Sequence, residues 1–183
     1  LNSYLTSTIK QFKYYKALGD KTIAKLSFDD LKKEFAQDSN SIAIIVKHLV
    51  GNMLSRWTNF LTEDGEKEWR RRDEEFVDNF TTKAELLKAW NDGWDSLFEA
   101  ITPLNVSDLE KTIYIRNGGH SVTEAINRQM MHYAYHVGQM VFIGKIIKGN
   151  EWKSLSIAKG QSKAYNKNKF QQDKNPRHFT DDV

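Results

Sequence analysis

The sequence predicts an all-α protein, and three observations carry that prediction. Only two prolines and ten glycines interrupt 183 residues. No sustained two-residue alternation of apolar and polar side chains runs through the chain. Apolar residues instead recur at three- and four-residue spacing over four long segments, roughly 3–26, 41–62, 82–101 and 121–148. The length suits one domain with a substantial core. Four amphipathic segments of this size predict a four-helix bundle with long crossover connections, followed by a loop-like basic C-terminal tail.

The first helix is expected from Asn2 or Ser3 to Leu26, with Leu5, Ile9, Phe12, Tyr15 and Ile23 inward and Gly19 as the place for a kink. Ser27 and Asp30 have the spacing of a capping box and predict a short helix from Phe28 to Phe35. The second long helix starts at Asn40 or Ser41 and runs to Thr62, before Glu63, Asp64 and Gly65. Ile42, Ile45, Val46, Leu49, Met53, Trp57 and Phe60 form its apolar stripe, and His48, Asn52 and Ser55 fall beside it. Such a polar strip suits a partly wet helix edge; it also suits the wall of an internal cavity. Between Glu63 and Phe80 both charge signs are dense, with Arg70, Arg71 and Arg72 against Asp73, Glu74 and Glu75. The simplest reading is a solvated connection pinned by Trp69 and Phe76. The third long helix is capped by Thr81 or Thr82 with Glu85 nearby and ends at Ile101, before Pro103. It buries Leu86, Leu87, Trp90, Trp94, Leu97, Phe98 and Ile101. Thr112 to Ile115 is the one strand expected, and with Asn117, Gly118 and Gly119 it predicts a two-stranded ribbon.

Ser121 and Glu124 form the capping box of the last long helix, and Lys145 and Lys148 precede its end at Gly149 and Asn150. Within it His132 and His136 lie about 40° apart around the axis and about 6 Å apart along it. They share a face with Ala125, Gln129, Met140, Ile143 and Ile147. An inward pair at this spacing can chelate one ion, and can equally be two satisfied core histidines. Tyr133, Ala134 and Tyr135 follow His132, so the pair is not the HExxH of zinc proteases. His120 lies about 18 Å from His132 along a continuous helix, which suits capping or the surface. In a bundle, His48 on one helix and the pair on another can supply one and two ligands to the same ion.

Zero cysteines leave histidine, carboxylate and water as ligands and exclude a cysteine nucleophile. No apolar run reaches the roughly 18 to 20 residues of a membrane span, and the N-terminus lacks the order of a signal peptide, so a cytoplasmic location is expected. Residues 145–183 hold nine Lys or Arg against four Asp or Glu, a local charge of +5 in a chain of net charge +3. Such a tail attracts nucleic acid or anionic surfaces, but it carries no nucleic-acid motif, and nucleic-acid binding is not the expected function. Trp152, Leu155, Ile157 and Tyr165 can fold its first part back. The expected division is a bundle over 1–150 and a partly ordered extension over 151–183.

The runs Ile45-Val46-Lys47-His48-Leu49-Val50-Gly51-Asn52 and His132-Tyr133-Ala134-Tyr135-His136-Val137-Gly138-Gln139 resemble the DinB-like, or DinB/YfiT-like, metal-binding four-helix bundles. The resemblance covers about residues 5–150. Asn52-Met53-Leu54-Ser55-Arg56-Trp57 with Asp64-Gly65-Glu66-Lys67 resembles a bacterial subfamily of unknown function. It implies that His48, His132 and His136 hold one divalent ion, zinc or nickel. Members resemble enzymes that join a low-molecular-weight thiol such as bacillithiol to an electrophile; others resemble hydrolases or have no known reaction. A metal-dependent thiol transferase is therefore the expected function, with a hydrolase and a non-catalytic metal-binding or interaction bundle as alternatives. A homodimer through exposed bundle faces fits the same resemblance. A small-molecule substrate is expected between the second and last long helices, passing Asn52, Ser55, Arg56 and Tyr133. Arg56, about 12 Å from His48 along the helix, would pair with a substrate carboxylate or else with a surface acid.

Overall fold

Most of residues 3–182, which the computed structural model describes, are helical. The elements are α1 (Ser3–Ala24), α2 (Phe28–Leu31), α3 (Ile42–Trp57), α4 (Lys83–Ile101), β1 (Thr112–Ile115), β2 (Gly118–Ser121), α5 (Val122–Lys148) and α6 (Ser162–Phe170). A start of α1 at Asn2 would lie outside the described residues. Helix α1 packs along α5, α3 packs along α4 and α5, and α1 also meets α4. Among the described residues no helix is long and apolar enough to cross a membrane.

The helix starts follow the capping chemistry of the sequence. Ser41 and Thr82 accept the backbone N–H of Ile44 and Glu85, and reciprocal capping boxes close the starts of α2 at Ser27/Asp30 and α5 at Ser121/Glu124. The ends are shorter than the periodicity implies. Helix α3 stops at Trp57, not Thr62, because Thr58 is extended and Asn59 takes a left-handed φ of 48°. Helix α2 ends at Leu31, and the Ser39 hydroxyl accepts the N–H groups of Phe35 and Ala36.

The apolar stripes meet where Phe12, Trp94 and Tyr133 pack with ring centroids 5.8 to 6.4 Å apart, with Trp90 edge-on to Trp94. All four are fully buried. Gly19 makes no kink: α1 is continuous, and the glycine instead opens room for a ring. A Cβ there would sit 2.4 Å from Cζ2 of Trp90, whose indole N–H donates to Asp20 at 2.7 Å.

Three further segments pack around the long helices. The β1–β2 hairpin pairs Thr112 with Ser121 and Ile115 with Gly118. Its two-residue turn is Arg116-Asn117, both at positive φ (54° and 59°), as the right-handed strand twist favours. Gly118 and Gly119 belong to β2, one step beyond the expected turn. The Asp64 carboxylate accepts both turn N–H groups at 2.8 Å, tying the hairpin to the loop after α3. The segment from 63 to 80 is not the solvated connection that its charge density suggests. Lys67 and Glu75 are buried, and the Arg70 side chain is only 2% exposed; each is paired, which is how charge leaves water at tolerable cost. Phe76 packs inward, but Trp69 is 54% exposed and pins nothing. The tail holds the helix α6, where composition suggests a loop, and its end returns to α1. His178 Nε2 lies 2.9 Å from the Ser7 hydroxyl, and Lys10 pairs with Asp181 at 2.6 Å.

Replacing Gly19 by alanine in an ordinary helix raises stability; here the methyl meets a buried ring that cannot move aside. Gly19→Ala is expected to lower stability by about 1–3 kcal/mol in denaturant unfolding. Equal or higher stability would show that Trp90 is loosely held.

Candidate metal centre

Helix α5 sets His132 and His136 one turn apart on its inner face, and α3 brings His48 opposite them. His132 Nε2 lies 3.1 Å from His136 Nε2 and 3.3 Å from His48 Nε2. The three rings stand roughly edge to face, with centroids 4.7 to 5.3 Å apart. Together they form a group that can hold a metal ion, every ligand atom lying within 4.8 Å of the others.

The outward nitrogens decide the protonation of the inward ones. His48 Nδ1 is 2.9 Å from Glu75 Oε2. Burial pushes the Glu75 carboxyl up, but the bonds from His48 and Arg70 outweigh it and keep the group ionised. A carboxylate only accepts, so Nδ1 carries the proton and Nε2 presents a lone pair. His136 Nδ1 donates in the same way to Gln139 Oε1 at 2.8 Å. Two lone pairs thus face His132 Nε2, and a single N–H there can satisfy only one of them. Desolvation, and then the neighbouring His136 and His48, push His132 down to about 3; desolvation also lowers His136. The site resists protons and suits a cation that accepts several nitrogen lone pairs at once.

A wider frame holds these rings. Arg70 donates to both Glu75 oxygens, at 2.7 and 3.0 Å. Gly51, one turn beyond His48, admits the glutamate: a Cβ at this position would sit 2.3 Å from Glu75 Oε1. The Phe76 ring stacks on His48 at 5.0 Å. Behind the rings, Trp57 donates to the Tyr133 hydroxyl, which donates to Asn52 Oδ1, each at 3.0 Å. This chain bolts α3 to α5. Burial raises the Tyr133 phenol, so it stays a donor.

Beside the imidazoles lies a cavity of about 230 Å³, lined by His48, Asn52, Gln129 and His132 together with arginines from four parts of the chain. Of the four residues expected at a substrate pocket, Asn52 and Arg56 line it. Ser55 and Tyr133 are fully buried and lie outside the lining. The Ser55 hydroxyl donates to Gly65 O at 2.7 Å and accepts the Lys67 N–H, holding the loop that follows α3. Arg56 is neither free nor on the surface. It is 7% exposed, and its guanidinium donates to Gly65 O and pairs with Glu66 at 3.1 Å. His120 lies in β2, paired in register with Ile113, away from the three histidines. Sequence reasoning missed Glu75, Arg70 and Gln139. A glycine inside α3 three residues after His48 was the available sign that another group approaches there.

Fold and site together define a helical protein with a three-histidine centre at the junction of two long helices. The chain belongs to the family described as "Protein of unknown function (DUF1572)", whose model matches residues 1–161. No curated protein and no solved structure matches it.

The depressed His132 pKa has a consequence for the metal-free protein. The unfolded chain takes a proton near the ordinary value of 6.5, whereas the folded ring resists it until about 3. This contribution to stability is present above 6.5 and is lost as pH falls through that window. The urea midpoint of chelator-treated protein should drop between pH 7 and pH 5, and the drop should shrink in His132→Asn. A midpoint independent of pH would contradict the buried, uncharged assignment.

Proposed function

We propose that the protein is a divalent-metal-dependent enzyme whose ion is held by His48, His132 and His136, and that its reaction is the transfer of a low-molecular-weight thiol to an electrophilic small molecule. The observation that carries this reading is the convergence of the three Nε2 atoms at 3.1 and 3.3 Å. Four tetrahedral ligands at about 2.0–2.1 Å from an ion set pairs of nitrogens about 3.3 Å apart, so both spacings from His132 Nε2 suit zinc, and imidazole suits nickel as well. The mostly helical fold, and the resemblance of its histidine-bearing runs to the DinB-like metal-binding bundles, support the same reading.

Three protein ligands leave a position open, as catalytic sites do. A bound divalent cation lowers the pKa of a water or thiol that it coordinates. Because the chain has no cysteine, the thiol comes from solution. In the transfer the thiol releases its proton to solvent, its sulfur lone pair forms the bond to the electrophile, and the leaving group departs with the electrons of the broken bond. The chain's own part is positional. Glu75 and Gln139 fix the tautomers of His48 and His136, Arg70 holds Glu75, and the Trp57–Tyr133–Asn52 chain holds the spacing between helices. Thiolate is the softer ligand and the better nucleophile, which ranks thiol transfer above hydrolysis.

Each single variant His48→Ala, His132→Ala and His136→Ala should lose most bound metal while keeping its helical signal. Titrating a low-molecular-weight thiol into cobalt-substituted protein should raise a sulfur-to-metal charge-transfer band that His132→Ala lacks. Full metal content in all three variants would overturn the ligand set; intact metal binding without a thiol band would favour the hydrolase.

A further inference from the structure

The cavity beside the imidazoles is lined by five arginines: Arg56 on α3, Arg70 and Arg72 on the segment after it, Arg116 at the hairpin turn and Arg128 on α5. Among the described residues, no carboxylate and no aliphatic side chain lines it. Among the described residues, the carboxylates that pair with these arginines are Glu66 and Glu75. Glu66 takes Arg56, Arg70 and Arg116 at 3.1 to 3.3 Å, and Glu75 takes Arg70 at 2.7 Å. Both carboxylates stand behind the cavity wall, so their role is to hold three guanidiniums in place.

Among the described residues, neither Arg72 nor Arg128 makes an ion pair with a carboxylate. Arg72 lies over the Phe76 ring, 5.5 Å from its centroid, and that ring in turn stacks on His48. Arg128 sits on α5 one turn before His132 and makes no ion pair among the described residues. Two lining groups also lack hydrogen-bond partners although buried: Arg56 Nε, a donor, and Gln129 Oε1, an acceptor. A buried donor without a partner is destabilising, and like charges gathered around one cavity repel. A surface that merely needed solubility would spread its arginines and pair them. Here four separate chain segments aim cations at one small space next to the histidines.

We propose that this cavity is the binding subsite for a compact dianionic oxyanion, a phosphoryl-type head group on a small molecule that also carries a hydroxyl or amine donor. Arg72 and Arg128 are the two charges that it neutralises. Arg56 Nε supplies a buried hydrogen bond, and Gln129 Oε1 accepts from the ligand's own donor. The tetrahedral head fits because the donors approach from α3, α5, the hairpin turn and the 70–72 segment, directions that one planar carboxylate cannot serve together. Arg56 is thereby a fixed part of the wall, and the exposed Arg72 and Arg128 supply the unpaired charge. As the place where a substrate's charge sits beside the ion, the inference rests on the metal-dependent reading, but anion binding can be measured with or without metal.

The test is calorimetric titration of inorganic phosphate, and separately of malonate, into the full chain at low ionic strength, both chelator-treated and zinc-loaded. Phosphate should bind saturably to both forms and more tightly than malonate. Arg72→Met and Arg128→Met should each weaken it about tenfold, with thermal unfolding unchanged because both side chains are exposed. Arg71→Met, which removes an equal charge outside the lining, should leave affinity within about twofold. Absence of saturable phosphate binding would overturn the proposal, as would malonate binding at least as tightly or equal weakening by all three substitutions. Loss of the metal reading alone would show as anion binding to a protein that retains no zinc.

Discussion

Bringing three imidazole nitrogens together is the constraint on which the surrounding structure depends. One N–H on His132 can satisfy only one of the two lone pairs that face it, so the protein has to hold the remaining pair of nitrogens together against repulsion. It does so from behind. Glu75 accepts the outward N–H of His48 and is gripped by Arg70, a pair so deeply buried that removing one partner strands the other at a cost of about 3–5 kcal/mol. The same arginine reaches Glu66, which also receives Arg56 and Arg116. One connected set of charges therefore joins α3, the segment after it and the hairpin turn, and fixes both the ligand tautomer and the wall of the cavity.

The aromatic core does the corresponding work on the opposite side. His132 and His136 inherit their spacing from the geometry of α5, but the distance from α5 to His48 is a matter of helix packing. Tyr133, the residue after His132, points the other way and is clamped among Phe12, Trp94, Trp57 and Asn52. A shift of α3 against α5 would break the Trp57–Tyr133–Asn52 chain and strand the hydroxyl of the fully buried Tyr133. The spacing of the three histidines is thus set by helix packing and by this hydrogen-bonded chain.

The legible part of the site is the part written in local periodicity. His132 and His136 share a helix face by arithmetic, and His48 stands beside an apolar stripe on a helix that Ser41 visibly begins. Capping residues located the starts of α3, α4 and α5 to within a residue. What stayed hidden depends on pairings across long separations. Nothing local distinguishes Arg70 and Glu75 from the exposed charges that flank them, because their burial follows from how 63–76 folds over α3. The arginine cavity is hidden for the same reason: its five side chains are scattered from residue 56 to residue 128 and converge only when the hairpin is anchored at Asp64. Gly51 was a local clue of a different kind, a costly residue inside a helix whose meaning is a neighbour that needs the space.

The central claim is that the three Nε2 atoms share one metal ion. It is tested most directly by X-ray absorption at the metal edge, on full-length chain purified without chelator or histidine tag. The account predicts about one equivalent of a divalent ion, with scattering fitted by three imidazoles and one or two lighter oxygen ligands. An ion bound without imidazole, or protein that takes up no zinc or nickel when either is supplied, would contradict it.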